Sequence, residues 1–411
     1  MIYLDNAATT RTDPEVVAEM LPYFSEDYGN PSGIYGIAQK SRAAVTAARE
    51  KTAHVLGCRA DEIYFTSCGS EADNWALKAV FEAYHDKGKH IITTKIEHPA
   101  ILNTCEYLER ERGAEITRLR VNDDGVVDLG ELEASIRPDT ILISVMTANN
   151  EIGTIEPIRE IGAIARRHGV LFHTDAVQAF GQIPLHVDEM NIDMLSASAH
   201  KFNGPKGVGF LYIRRGVGIR SFLHGGAQEH NRRAGTENVP GIIGLGAAAR
   251  KAEENLARKM EKETRLRDYL IERIRDEVPN VKLNGPDPAE TETGRLPNNV
   301  NFSFEFVEGE SLLIMLDMRQ ICASSGSACS SGSLSPSHVL KAIGLSDSLA
   351  HGALRLTLSA ETTKEELDAT VEAIREIVER LRGMSPRYEA YRNGTLQAET
   401  GTDVSRNRKT K

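Results

Sequence analysis

Cysteine is scarce. The chain of 411 residues holds five, at positions 58, 68, 105, 322 and 329. Their irregular spacing excludes a disulfide framework, and no C-x-x-C pair marks a structural zinc site. Long apolar runs are missing too: the longest, Gly241–Ala249, falls far short of the roughly 20 residues a spanning helix needs. The first residues, MIYLDNAATT, lack the basic and apolar regions of a secretory leader. Positive charge is in deficit, with 49 Lys and Arg against 59 Asp and Glu and a net charge of −10. That excludes a general affinity for nucleic acid, which needs excess cation to displace counterions from phosphate. Neither G-x-x-x-x-G-K-[ST] nor a G-x-G-x-x-G following a strand is present, so two common nucleotide sites are excluded as well. The glycine-rich stretch Gly204–Gly209 runs into a strand rather than a helix and reads as a tight turn. These absences leave the expectation of a cytoplasmic chain with free thiols, no membrane segment and no direct nucleic-acid binding.

What is present is ordinary in bulk, with 40% hydrophobic and 26% charged residues, as in soluble globular proteins. Short β-rich runs alternate with amphipathic stretches from about residue 61 to 215. Strands are expected at 62–67, 90–95, 115–120, 140–147, 170–175, 193–198 and 209–214. Several are apolar almost throughout, as strands covered on both faces are. Helices are expected between them, at 71–85 and at 157–168. The latter starts at Pro157, ends in Arg166, Arg167 and His168, and stops at Gly169, which is the usual start and stop chemistry. Repeated β-α-β order predicts a mainly parallel, doubly wound α/β sheet with helices on both faces.

A charged helix at 250–277 then leads to a smaller α+β pattern: strand 299–306, helix 309–318, strand 353–358, and a last helix to Gly383. That helix starts at Thr362 or Thr363, each with a Glu three residues on as a capping box. The expected division is a large domain over 14–255, a small domain over 1–13 and 256–390, and a disordered polar tail over 391–411.

In an open parallel sheet, ligands bind at the carboxyl ends of the strands. The first expected strand runs into Cys68-Gly69-Ser70-Glu71 at a helix start, where backbone N–H groups suit a phosphate; taken alone, the segment reads first as an ordinary N-cap. Other strand ends deliver His98, then Asn149, Asn150 and Glu151, then Asp175 and Gln178, then Ser198, His200 and Lys201. Each has a bland explanation as a turn residue. An acid, an imidazole, amides and an amine converging beside a phosphate site fit one ligand well, pyridoxal 5'-phosphate. Its aldehyde condenses with a lysine, its ring nitrogen needs a carboxylate partner and its phosphate needs donors. Lys201 and Asp175 fill the first two roles, and Lys201, once released, is placed to move the substrate Cα proton. A second signal is Cys329, in the middle of the Ser/Gly-rich stretch 323–335. It reads as a nucleophile on a mobile loop, or as a linker with an incidental thiol.

Taken together, YLDNAATT, GNPSG, FTSCGSEADN, NNEIGTIEPI, HTDAVQ, SASAHKFNGPKGVG, RRAGTEN and SSGSACSSGSLSPSHVL resemble the NifS/IscS-type cysteine desulfurases. These belong to the class V aminotransferase branch of the fold-type-I pyridoxal-phosphate enzymes. The likeness runs over about residues 1–390. It implies a seven-stranded fold-type-I core, Lys201 bonded to the cofactor, His98 stacked on its ring, Asp175 on the ring nitrogen and Gln178 near the ring hydroxyl. Gly69, Ser70, Ser198 and His200 would hold the phosphate, with Thr236 reaching the phosphate of a neighbouring subunit in a homodimer. Asn150 would touch cofactor or substrate, and Arg355 would clamp the substrate carboxylate. The implied reaction converts L-cysteine to L-alanine and leaves a persulfide on Cys329, within the catalytic loop 321–336. The sulfur then passes to an iron–sulfur scaffold protein or another acceptor, and the resemblance allows Cys329 to be a transient ligand of a shared 2Fe–2S cluster. The segment 386–394 is similar to the family's scaffold-docking end. A selenocysteine lyase or another class V enzyme is the alternative; an aminotransferase needs no loop cysteine.

Overall fold

The structure, a computed structural model, describes residues 1–290, 294–325 and 336–400. Among the described residues there are twelve strands: β1 (Ile2–Tyr3), β2 (Ile63–Thr66), β3 (His90–Thr94), β4 (Glu115–Leu119), β5 (Thr140–Ser144), β6 (Leu171–Asp175), β7 (Met194–Ser198), β8 (Gly209–Ile213), β9 (Val281–Leu283), β10 (Asn299–Phe304), β11 (Ile321–Cys322) and β12 (Ala353–Thr357). Seven form one sheet in the order β2-β8-β7-β6-β5-β3-β4. Its pairings are parallel except where β8 meets β2 and β7. Strands β2, β3, β5, β7 and β8 are buried at every position, because helices cover both faces. Two apolar cores result. One joins Phe172, Leu195 and Phe210 to Ile161, Ile242 and Leu245; the other joins Ile91, Leu142 and Leu211 to Trp75, Ile101 and Leu108.

A second, three-stranded sheet, β12-β10-β9, packs Phe302, Phe304 and Leu356 against Leu270, Ile274, Val371 and Ile374 of two long helices. The later of these, Lys364–Gly383, begins with a capping box between Thr363 and Glu366. The earlier runs from Val239 to Glu277, 39 residues, and starts eleven residues before the expected position. Its first turns, Val239–Ala249, are buried almost all round, so they carry no polar stripe to betray a helix. Asn238 caps it by accepting from the Gly241 N–H at 3.2 Å.

The first residues do not stay with the second sheet. β1 pairs with β11 and Leu4 O accepts from the Thr357 N–H. The chain then crosses to the large sheet, where the Thr10 N–H donates to His200 O and the Asp13 N–H to Asn203 O. At the other end, order extends beyond the expected start of the tail. A helix covers Pro386–Arg392, and Glu399 and Thr400 donate from their backbone to the buried Glu305 carboxylate. Residues 401–411 lie outside the described residues. No helix among the described residues is long and apolar enough to cross a membrane.

Candidate active site

Strands β2, β3, β5, β6 and β7 run the same way, so the loops that follow them meet at one sheet edge. Lys201 ends the short turn Ala199–Lys201 after β7. Its Nζ donates to Ala7 O at 2.5 Å and to Ala8 O at 2.8 Å. Asp175 closes β6, is 5% exposed, and accepts from the Val177 N–H at 2.9 Å. Burial pushes its carboxyl upward in pKa, against the pull of His98, the Val177 N–H and Lys201. His98 caps the helix Pro99–Arg112, its Nδ1 accepting from the Ala100 N–H at 3.1 Å. Burial pushes the His98 pKa down, with Asp175 opposing and Lys201 reinforcing. The imidazole is therefore neutral, with its proton on Nε2.

Around this group, Gln178 Nε2 donates to Ala7 O at 3.0 Å. His200 Nδ1 lies 3.1 Å from Thr9 Oγ1, and burial and then Lys201 push its pKa down to about 4. Gly69 opens the helix Gly69–Tyr84. A Cβ there would come within 2.6 Å of Val177 Cγ2 and 3.6 Å of the Ser198 Cβ. Ser70 is the next residue and is exposed. Ser198 Oγ is buried and has no hydrogen-bond partner among the described residues.

The second sheet supplies an arginine. Arg355 lies on β12 with its side chain 2% exposed. Its Nη1 donates to Asn150 O and its Nη2 to Asp5 Oδ1, both at 3.0 Å. Thr236 is elsewhere: it lines a separate cleft of about 250 Å³ with Tyr23, Tyr28, Asn30 and Pro31. Cys329, expected as nucleophile and as a 2Fe–2S ligand, lies outside the described residues. No group of His, Cys, Asp and Glu fit to hold a metal ion occurs among the described residues.

The family model for class-V aminotransferases matches residues 2–370. The chain belongs to the class-V aminotransferase family. Among its relatives, the cysteine desulfurase IscS of Clostridium botulinum (strain Hall) is 53% identical over 390 residues, covering 95% of this chain and 97% of that one. A solved structure titled NifS-like protein superposes with a TM-score of 0.86 at 40% identity, covering 92% of this chain and 99% of the other. A structure of SspA in complex with cysteine gives a TM-score of 0.77 at 36% identity, over 88% and 100% of the two chains.

The site of this class-V chain fits pyridoxal phosphate. The Ser198 hydroxyl, without a partner among the described residues, lies beside the start of a 16-residue helix at whose first residue a Cβ would crowd Val177; this suits an anionic group. Burial drives Asp175 toward its neutral form, and a protonated ring nitrogen facing it would restore the anion.

The contacts of residues 5–10 escape a reading of side chains, since backbone carbonyls at Ala7 and Ala8 carry no sequence signal. In the turn after β5, the strand-end residues Asn149 and Glu151 prove to be tied into the fold. There the Asn149 Oδ1 accepts from the Glu151 and Ile152 N–H groups at 2.8 and 3.1 Å. The buried Glu151 carboxylate accepts from Ser337 Oγ at 2.5 Å, and burial raises its pKa to about 7.

Nearby Glu156 accepts from the Val127 N–H at 3.1 Å through one oxygen, and burial raises its pKa to about 8. Between about pH 4.3, the usual glutamate value, and about 8, the folded chain therefore keeps a proton that the unfolded chain has lost. This contribution to stability is whole at low pH and lost as pH rises toward 8. Glu156→Gln keeps an acceptor oxygen and removes the titration. Its melting temperature is expected to rise relative to wild type as pH goes from 5 to 8 in a thermal denaturation series; parallel curves would contradict this.

Proposed function

We propose that this chain is a pyridoxal-phosphate-dependent cysteine desulfurase, taking sulfur from L-cysteine onto Cys329 and passing it to an acceptor protein. The observation that carries the reading is the anchoring of the segment that holds Cys329. On one side, Ser324 exchanges backbone hydrogen bonds with Arg355, at 2.6 and 3.1 Å. On the other, Ser337 is bonded to Glu151, and His338 Nε2 lies 3.0 Å from Glu97 O, next to His98. One end of the segment thus bonds to Arg355 within β12, and the other to Glu151 and Glu97 in the turns after β5 and β3, at the edge of the large sheet that also carries Lys201. An enzyme that only moved an amino group would have no use for a cysteine in a segment anchored in this way.

Lys201 would bind the cofactor aldehyde, Asp175 its ring nitrogen, and Gly69, Ser70, Ser198 and His200 its phosphate, with His98 over the ring and Gln178 beside it. When bound, the cofactor supplies an electron sink that acidifies the substrate Cα–H. Arg355 binds the substrate carboxylate through its planar fork, with Asn150 alongside. Lys201 Nζ takes the Cα proton and later returns a proton. The Cys329 thiolate attacks the substrate sulfur, so an S–S bond forms as the C–S bond breaks. That bonding pair stays on carbon and is protonated, and alanine leaves.

The wider reading is a cytoplasmic homodimer serving an iron–sulfur scaffold or related acceptor. Phe24, Tyr28, Ile34 and Tyr35 are exposed at 62, 69, 93 and 57%, Tyr28 lines the Thr236 cleft, and exposed large apolar side chains of that kind suit a subunit contact. In that reading Thr236 serves the site of the second subunit.

The test is stoichiometry. Purified holoenzyme given L-cysteine and a thiol reductant is expected to release alanine and sulfide in equal amounts. Deamination products without sulfide would refute the assignment.

A further inference from the structure

The N-terminal segment makes a contact that no role above requires. Asp5 Oδ1 meets Arg355 Nη2 at 3.0 Å, with the Asp5 side chain 20% exposed. This pairing is built in by the backbone. Asp5 bridges Thr357, two residues along the same strand from Arg355. Leu4 O accepts from the Thr357 N–H at 2.7 Å, Asn6 Nδ2 donates to Thr357 O at 2.8 Å, and the Ala7 N–H donates to Thr357 Oγ1 at 2.8 Å. The next carbonyls, Ala7 O and Ala8 O, are those that hold Lys201. One short turn therefore ties the arginine of one sheet to the amine of the other.

The donor inventory of Arg355 gives this turn a purpose. A guanidinium has five N–H donors in a rigid fork. One goes to Asn150 O and one to Asp5; its Nε is buried with no partner among the described residues. A buried donor without an acceptor is costly, and a carboxylate would remove that cost through two parallel bonds. The fork presents its remaining donors as a pair only while its rotation is fixed. Asn150 O fixes one terminal nitrogen; Asp5 fixes the other.

We infer that Asp5 is a positioning residue for the substrate carboxylate, holding the Arg355 fork so that its unspent donors face an α-carboxylate together. This rests on the reading of Arg355 as the carboxylate clamp. An asparagine at position 5 retains the acceptor oxygen, so orientation and not charge is the property that counts.

The holoenzyme and its Asp5→Ala, Asp5→Asn and Arg355→Ala variants are compared for KM and kcat with cysteine, and for competitive inhibition by L-alanine and L-alaninamide. Asp5→Ala is expected to raise KM and the alanine inhibition constant about tenfold, the effect of about 1.4 kcal/mol, with kcat changed by no more than about threefold. Alaninamide, which has no carboxylate, is expected to bind wild type and Asp5→Ala alike. Asp5→Asn is expected to restore the wild-type values. If Asp5→Ala weakens alanine and alaninamide equally, Asp5 merely supports the fold and the inference is wrong. The inference is equally wrong if Asp5→Ala leaves KM unchanged while Arg355→Ala raises it. If Arg355→Ala leaves alanine inhibition unchanged, the clamp reading itself fails and takes the inference with it. Cofactor absorbance retained in each variant shows that the site has folded.

Discussion

Lys201→Ala is expected to lower alanine release from cysteine by roughly 10²–10⁴-fold, the range for removing a positioned acid–base group, and to lose the covalent link to the cofactor. Lys201 Nζ donates to Ala7 O and Ala8 O, and both are fixed by the turn that pins residues 4–7 to Thr357. Removing the amine leaves those carbonyls for water and takes a charge away from Asp175 and His98, but the N–H donors that hold these two residues, at Val177 and Ala100, stay in place. The phosphate donors proposed at Gly69 and Ser198 also remain. The variant should therefore still take up pyridoxal phosphate, released by mild denaturation without a reductant. A decline smaller than about tenfold, that is less than about 1.4 kcal/mol, would contradict the role given to Lys201.

Cys329→Ala is expected to bind cofactor and cysteine like wild type and to release alanine only at background. The change removes the sulfur proposed to accept sulfur and none of the residues proposed to hold the cofactor. Two of the other four thiols are poor substitutes. Burial pushes both Cys58 and Cys105 up to about 12, leaving almost no thiolate near neutral pH. Cys322 sits on β11, paired with Tyr3. Retained turnover in this variant, measured as alanine per enzyme over several cycles, would leave the desulfurase reading without its acceptor. Loss of cofactor binding alongside turnover would point to a structural role instead.

Much of this was visible in the sequence, and the physical reason differs from part to part. The seven strands of the large sheet lie within one or two residues of their expected positions, except at the end of β5, because burial on both faces leaves apolar runs that end at polar loops. Strand β5 stops at Ser144, three residues early: Val145 and Met146 stay buried without continuing the ladder. The capping box at Thr363 was legible because its two side chains name themselves. The start of the 39-residue helix was not, since burial on all sides erases periodicity. β1 and β11, two residues each and over 300 residues apart, carry too little pattern to be found by propensity.

The site divides in the same way. Lys201, Asp175 and Gly69 follow from the rule that ligands gather at strand ends and from what a pyridoxal ring requires. Arg355 sits on a strand whose own pattern says nothing of chemistry, and only the family resemblance pointed to it; Asn150 was legible at a strand end, and only the resemblance gave it a role. The contribution of residues 5–10 is made largely through carbonyls and hydroxyls, which no residue-type rule can rank. Asp5 is the exception, a charge inside a quoted motif whose partner lies 350 residues away.

The central claim is that substrate sulfur moves to one particular thiol. The direct measurement is peptide mass mapping of holoenzyme after a brief incubation with substoichiometric L-cysteine, without reductant and with free thiols alkylated. The expected result is one added sulfur on the peptide containing Cys329, in an amount equal to the alanine formed. Alanine formed with the added sulfur on Cys58, Cys68, Cys105 or Cys322, or on no peptide at all, would contradict it.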